Sequence, residues 1–155
     1  MTGKTLTLLA TLGSAALLLG AFGFQHLGGY APCQMCLWQR WPHAAAVLIG
    51  AIVLLGGPRV LAWLGAMAAA VTALIGIFHA GVEWGWWPGP SSCTGGGMDL
   101  GSLDGGSLLS TEGPSGLVMC DEIVWQFLGL SMAGWNAIFS FILIGLWVAA
   151  ARKAA

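Results

Sequence analysis

Runs of about twenty apolar residues with almost no charge recur along this chain, and they decide what it can fold into. Residues 5–24 carry no charge, residues 60–81 hold His79 as their one ionisable group, and residues 130–151 carry no charge. Residues 41–57 form a shorter run that reaches spanning length when its helix starts near Leu37. About 20 apolar residues in a helix match the hydrocarbon thickness of a bilayer. Only 7% of the residues are charged and 57% are hydrophobic, whereas a soluble domain carries about 25% charged residues. A soluble globular domain and a disordered chain are both excluded. Five Lys and Arg in 155 residues also leave little with which to bind the phosphates of a nucleic acid.

The expected fold is an all-α, four-transmembrane-helix bundle forming a single membrane domain over residues 1–155. Its spans are near 5–24, 41–57, 60–81 and 130–151. Gly57, Pro58 and Arg59 separate the second and third spans, a helix stop followed by a tight turn. Lys4, Arg59, Arg152 and Lys153 then share one face, and only Arg40 lies opposite. Basic residues collect on the cytoplasmic side, so both termini are expected there. Two loops, 25–40 and 82–129, are expected outside, and all six acids fall in the second. The first run is longer than a signal-peptide core and reads as a retained span. Seven tryptophans near the outer span ends, and Trp63 and Trp147 near the inner ends, read as interfacial belts. The middle of the long loop, residues 94–116, reads as a Gly-rich linker with room for one short interfacial helix. Its Asp99 and Asp104 do not have calcium-loop spacing.

All four cysteines, Cys33, Cys36, Cys93 and Cys120, fall in the two outer loops. Packing cysteines would favour helix interiors; cysteines outside read as two disulfides in an oxidising compartment. Cys33-Gln34-Met35-Cys36 is a C-x-x-C at the head of the second span, a spacing suited to reversible thiol chemistry. A helix N-terminus favours a thiolate, and Arg40 lies one turn beyond Cys36. A guanidinium at the membrane edge is a candidate functional group; a snorkelling anchor is the alternative. Cys93 and Cys120 enclose 26 residues, as a structural staple or as an exchanging pair. Zinc ligation wants a second close pair, so no metal site is expected. His79 reads as an interfacial residue or as a hydrogen-bond donor to a polar ligand between helices. Two disulfides on one surface can exchange electrons. With the C-x-x-C at the lipid boundary, a membrane-soluble quinone is the natural acceptor.

Several short matches bear on this reading. Phe24-Gln25-His26, Pro32-Cys33, the C-x-x-C and Arg40 are followed by Cys120, Trp125, Phe127-Leu128-Gly129-Leu130, Met132 and Trp135. Together they resemble the disulfide-bond formation protein B (DsbB) family of bacterial inner membranes, over nearly the whole chain. Gln39 departs from the Glu that members of the family can carry at that position. The resemblance implies a membrane thiol:quinone oxidoreductase whose cysteine loops face the periplasm. A reduced DsbA-like periplasmic oxidase attacks Cys93 and frees Cys120. The Cys33–Cys36 disulfide then reoxidises the Cys93–Cys120 pair through a Cys33–Cys120 bond, and Cys36 faces ubiquinone or menaquinone. Arg40, His79 and Met132 are similar to residues lining the family's quinone site. Three other readings remain: a membrane scaffold or transport subunit with two structural disulfides, a quinone reductase of the vitamin K epoxide reductase type, and a metal-binding membrane protein.

Overall fold

The computed structural model describes residues 1–90, 93 and 118–153. The reading of residues 94–116 as a linker, with Asp99, Asp104 and Glu112, lies outside them. Four long helices dominate: α1 (Gly3–His26), α2 (Gln34–Leu54), α3 (Ala62–Glu83), preceded by a 3-10 turn Arg59–Leu61, and α4 (Met132–Arg152). α1, α4 and the Arg59–Glu83 stretch are long and apolar enough to cross a membrane. α2 forms the fourth helix but misses that standard, because Gln34, Gln39, Arg40 and His43 occupy its first half. It begins seven residues before position 41 and ends at Leu54. Pro42 lies inside it and removes one backbone donor. α4 starts at Met132 because the two residues before it pair in a small sheet.

The helices form a closed ring in which each packs against two neighbours, in the order α1, α2, α3, α4 and back to α1. Glycines set the close approaches. Gly50 on α2 lies against Thr11 on α1, Gly65 on α3 against the Trp147 ring, Gly76 against Ala133 and Ala137, and Gly13 against Leu143. Small residues at helix seams are the usual membrane solution, since lipid is as apolar as Leu and only close packing distinguishes a partner from solvent. Successive helices therefore run antiparallel. Lys153 Nζ donates to the Met1 carbonyl at 2.7 Å, while Arg40 meets Gln25. The termini share one end of the bundle and the cysteines the other.

The interior is more polar than the outside. Thr7, Thr11, Ser14, Gln39, His43, Thr72, His79 and Ser140 are buried, whereas Leu12, Leu19, Leu48, Met67, Leu74, Phe141 and Ile142 are exposed. That inversion belongs to a helix bundle whose solvent is hydrocarbon. Trp38, Trp41, Trp63, Trp84, Trp86 and Trp87 are exposed, but Trp147 is fully buried. It is thus a core residue and no belt residue, because Gly65 leaves room for its ring.

Between Cys120 and α4 the chain makes a two-residue hairpin. β1 (Gln126–Phe127) pairs antiparallel with β2 (Leu130–Ser131), Phe127 opposite Leu130. Leu128 and Gly129, with φ of 52° and 78°, form the turn. Two positive-φ residues are what such a tight hairpin demands. Ser131 then caps α4, its hydroxyl accepting from the Gly134 amide at 3.2 Å. The hairpin thereby delivers Met132 and Trp135 to the cysteine end.

Gly65→Val should displace Trp147, since a Cβ at Gly65 would sit 2.6 Å from the indole. The expected cost is about 1–3 kcal/mol, whereas Gly145→Ala, with nothing within 4 Å, should change little. Thermal unfolding of the two variants in detergent checks this.

Candidate functional site

Cys33 is the N-cap of α2, extended at φ −79° and ψ 170°, and its sulfur accepts from the Cys36 amide at 3.1 Å. The residue three after an N-cap is the one whose N–H turns back to the cap side chain. The C-x-x-C spacing therefore does two things at once. It gives Cys33 a capping role and brings the two sulfurs to 2.9 Å. In this structure the two sulfurs are not joined. The shared turn holds them side by side, within reach of the disulfide expected from the sequence.

Both cysteines precede the apolar run that starts at Trp41. The hydrogen bond between them, with Cys33 as donor, pushes the Cys33 thiol up and pulls the Cys36 thiol below the usual 9.0. Burial pushes Cys33 further in the same direction and opposes the lowering at Cys36. Arg40 also favours the Cys36 thiolate, as a smaller contribution. Its guanidinium is engaged mainly with α1, donating to Gln25 Oε1 at 2.6 Å and lying 4.8 Å over the Phe22 ring. Its Nε has no hydrogen-bond partner among the described residues.

Cys93 and Cys120 are joined as a disulfide and are both buried. The Cys120 amide donates to the Cys93 carbonyl at 2.7 Å. Gln34 Oε1, on the first residue of α2, lies 3.6 Å from the Cys93 sulfur. This is a contact only, since a bonded sulfur carries no proton. Cys33, Met35, Val82, Cys93 and Cys120 make one buried cluster with Cys36 at its edge. All four sulfurs are thus gathered at one end of the bundle.

Beside the cluster opens a cavity of about 400 Å³ between α1, α2, the hairpin and α4. Cys36, Arg40, His43, Met132 and Asn136 line it, with Phe24, Tyr30, Trp125, Phe127 and Trp135 supplying aromatic walls. That is the size and character of a small-molecule site. Of the candidate catalytic and quinone-site residues, Cys36, Arg40 and Met132 reach this cavity. His79 does not. It is fully buried behind the cysteine pair, with Nε2 3.4 Å from the Cys33 sulfur and 3.7 Å from Glu83 Oε1. The seam between α2 and α3 places it there, because Gln39, one turn beyond Met35, holds its Nδ1 at 3.1 Å.

Sequence reasoning missed a polar network in the bundle interior. Asn136 Nδ2 donates to Gln39 Oε1 at 2.7 Å and to Thr72 Oγ1 at 3.1 Å. Asn136 Oδ1 lies 2.9 Å from His43 Nε2. Gln39 Nε2 donates onward to the Met35 carbonyl at 3.1 Å. With the amides so oriented, His43 carries its proton on Nε2, and His79 Nδ1 accepts from the Gln39 N–H, leaving its own proton on Nε2. The network connects the imidazole behind Cys33 to the cavity wall at His43. Its one sequence signal was the presence of Gln, His, Thr and Asn within apolar runs.

A sequence model of the family described as disulfide bond formation protein DsbB matches residues 3–150. A disulfide bond formation protein B of Marinobacter nauticus is 34% identical, the alignment covering 96% of this chain and 92% of that protein. One of Xanthomonas oryzae pv. oryzae is also 34% identical, over 93% and 87% of the two chains. Disulfide bond formation protein B 2 of Pseudomonas aeruginosa is 33% identical, over 87% and 83%. No solved structure matches. A cluster of four cysteines, one pair at the head of a helix and the other before the Trp125–Trp135 hairpin region, is in keeping with that match: this chain belongs to the DsbB family of membrane proteins that form disulfide bonds.

Proposed function

We propose that the chain is a thiol:quinone oxidoreductase of the bacterial inner membrane, a single four-span domain with both termini cytoplasmic and its cysteines periplasmic. The observation that carries this reading is the two-sided placement of the C-x-x-C pair. Cys33 packs with Cys93 and Cys120, while Cys36 lines the cavity. One pair of sulfurs therefore touches both a disulfide and a ligand-sized space.

The residues around the cavity fit a quinone head. The walls are aromatic and aliphatic, Arg40 brings a cation with an unpartnered Nε, and Cys36 supplies a sulfur whose thiolate is favoured. Ubiquinone or menaquinone, when bound, supplies a two-electron, two-proton acceptor. The remaining steps belong to sulfur. A thiolate of a reduced DsbA-like partner attacks Cys93, breaks the Cys93–Cys120 bond and releases Cys120. The partner's second thiol displaces Cys93, so the partner leaves oxidised and this pair is reduced. Cys120 attacks Cys33 of an oxidised C-x-x-C and releases Cys36 as the thiolate. Cys93 then displaces Cys33 from Cys120, restoring the first disulfide. His79 stands beside Cys33 to hydrogen-bond the sulfur as it is released. Arg40 steadies the Cys36 thiolate, and the apolar walls keep water from it.

Three outcomes test this. Cys36→Ser should abolish quinone-dependent oxidation of a dithiol partner while leaving its mixed disulfide with Cys93 trappable; full turnover by this variant, measured as thiol loss, would refute the proposal. Arg40→Leu should raise the quinone KM about tenfold, the loss of one charged hydrogen bond, with partner exchange intact. In the reduced protein Cys36 should alkylate before Cys33. Because its thiol is lowered, the thiolate persists as pH falls below 9.0, and the midpoint of the iodoacetamide rate profile should lie below that value.

A further inference from the structure

Glu83 closes α3 one turn after His79, and the electron path gives it no task. Its side chain is only 5% exposed. Its Oε1 faces His79 Nε2 at 3.7 Å, and Oε2 has no hydrogen-bond partner among the described residues. A buried carboxylate with an unpaired oxygen is costly unless it meets a proton, a cation or a metal. The Ser131 side chain hydrogen-bonds the carboxyl, and the other groups close by are metal donors. The sulfurs of Cys33 and Cys36 and a ring nitrogen of His79 all lie within 4.8 Å of one another.

We propose that the reduced Cys33–Cys36 pair, His79 and Glu83 form a four-donor site for a thiophilic divalent cation of the zinc class. Bonds of about 2.0–2.3 Å in a tetrahedron put neighbouring donors roughly 3.3–3.8 Å apart. Two edges already have that length: Cys33 to His79 at 3.4 Å and His79 to Glu83 at 3.7 Å. The sulfurs, at 2.9 Å, have to part by somewhat under ~1 Å, and Cys36 has the cavity beside it to turn into. Gln39 completes the arrangement from behind. Ligation through Nε2 needs the other tautomer of His79: the Gln39 amide has to turn over and give up its bonds to the Met35 carbonyl and Asn136, its oxygen then holding an Nδ1–H, as the outer partner of a metal-bound histidine commonly does.

Binding is proton exchange without electron transfer. The cation takes two thiolates, and two thiol protons leave to solvent. An oxidised pair has no thiolate to give, so the site exists only in the reduced state. If the electron path proposed above holds, an occupied site stops it, because both sulfurs needed for the next disulfide are held. Only this regulatory consequence rests on that reading; the site itself does not.

The test uses the full chain in detergent with Cys93→Ser and Cys120→Ser, reduced and stripped of metal. Co²⁺ serves as the spectroscopic probe, and Zn²⁺ is titrated against a chromophoric chelator. The expected result is one equivalent of Co²⁺ with thiolate-to-metal absorption in the near ultraviolet, displaced by Zn²⁺. Glu83→Gln, shown to be folded by circular dichroism, should weaken Zn²⁺ about tenfold or more. Oxidising the pair should abolish uptake. Absence of uptake, uptake unchanged in Glu83→Gln, or equal uptake by the oxidised pair overturns the proposal. Turnover by the metal-free four-cysteine protein with no Zn²⁺ uptake by the variant sinks this inference alone, and Zn²⁺ uptake by the variant with no turnover by the metal-free four-cysteine protein sinks the quinone reading alone.

Discussion

A single capping interaction organises the cysteine end of this bundle. The first turn of any helix leaves backbone N–H groups without intrahelical partners. Here the Cys33 sulfur takes the one at Cys36, where Ser131 and Thr2 do the same for α4 and α1 through hydroxyls. Sulfur is a weaker acceptor than oxygen, so the exchange costs some cap strength. What it provides is a redox group fixed at the positive end of a helix, with its partner three residues away held alongside by the same turn. The thiolate preference of Cys36, its place at the cavity wall and the burial of Cys33 against Cys93 and Cys120 all follow from that turn.

The bilayer dictates the rest of the support. Polar side chains cannot be parked on the outside of a span, so those that are present converge inward. Gln39, Thr72, Asn136 and the two imidazoles satisfy one another across three helices. Such a network is directional. Each amide has fixed numbers of donors and acceptors, so anchoring Asn136 to Thr72 and Gln39 settles which nitrogen His43 and His79 present. Small residues on α3 allow this by bringing α2 and α4 close enough for short side chains to meet.

The broad architecture was legible because hydrocarbon length and charge placement leave few options. Residues 5–24, 60–81 and 130–151 each read as helices and each lies within a helical stretch or its immediate entry. α2 was less legible because it mixes functions. Its first turns carry Gln34, Gln39, Arg40 and His43, so hydropathy located only the later half. Trp147 was misplaced among the interfacial indoles, since sequence distance from a span end says nothing about which face of the helix a ring occupies; Gly65, on another helix, decides it. The Phe127-Leu128-Gly129-Leu130 hairpin carried a readable turn signal at Gly129. The roles of Gln39, His43, Glu83 and Asn136 were not legible, because each depends on partners 4 to 97 positions away. Only packing brings those partners together.

The asymmetry of the C-x-x-C pair gives the arrangement its direction. Were both sulfurs on the cavity wall, a ligand there would compete with Cys120 for the same atoms. Were both buried with the Cys93–Cys120 disulfide, neither would touch the cavity. A helix start resolves this, because the N-cap residue lies off the helix and the residue three positions on lies within its first turn. The two side chains touch while their other faces meet different surroundings. Cys33 then meets sulfur and imidazole, and Cys36 meets the aromatic cavity and Arg40. The short-range geometry of one helical turn thus places one sulfur against a disulfide and the next against a ligand-sized cavity.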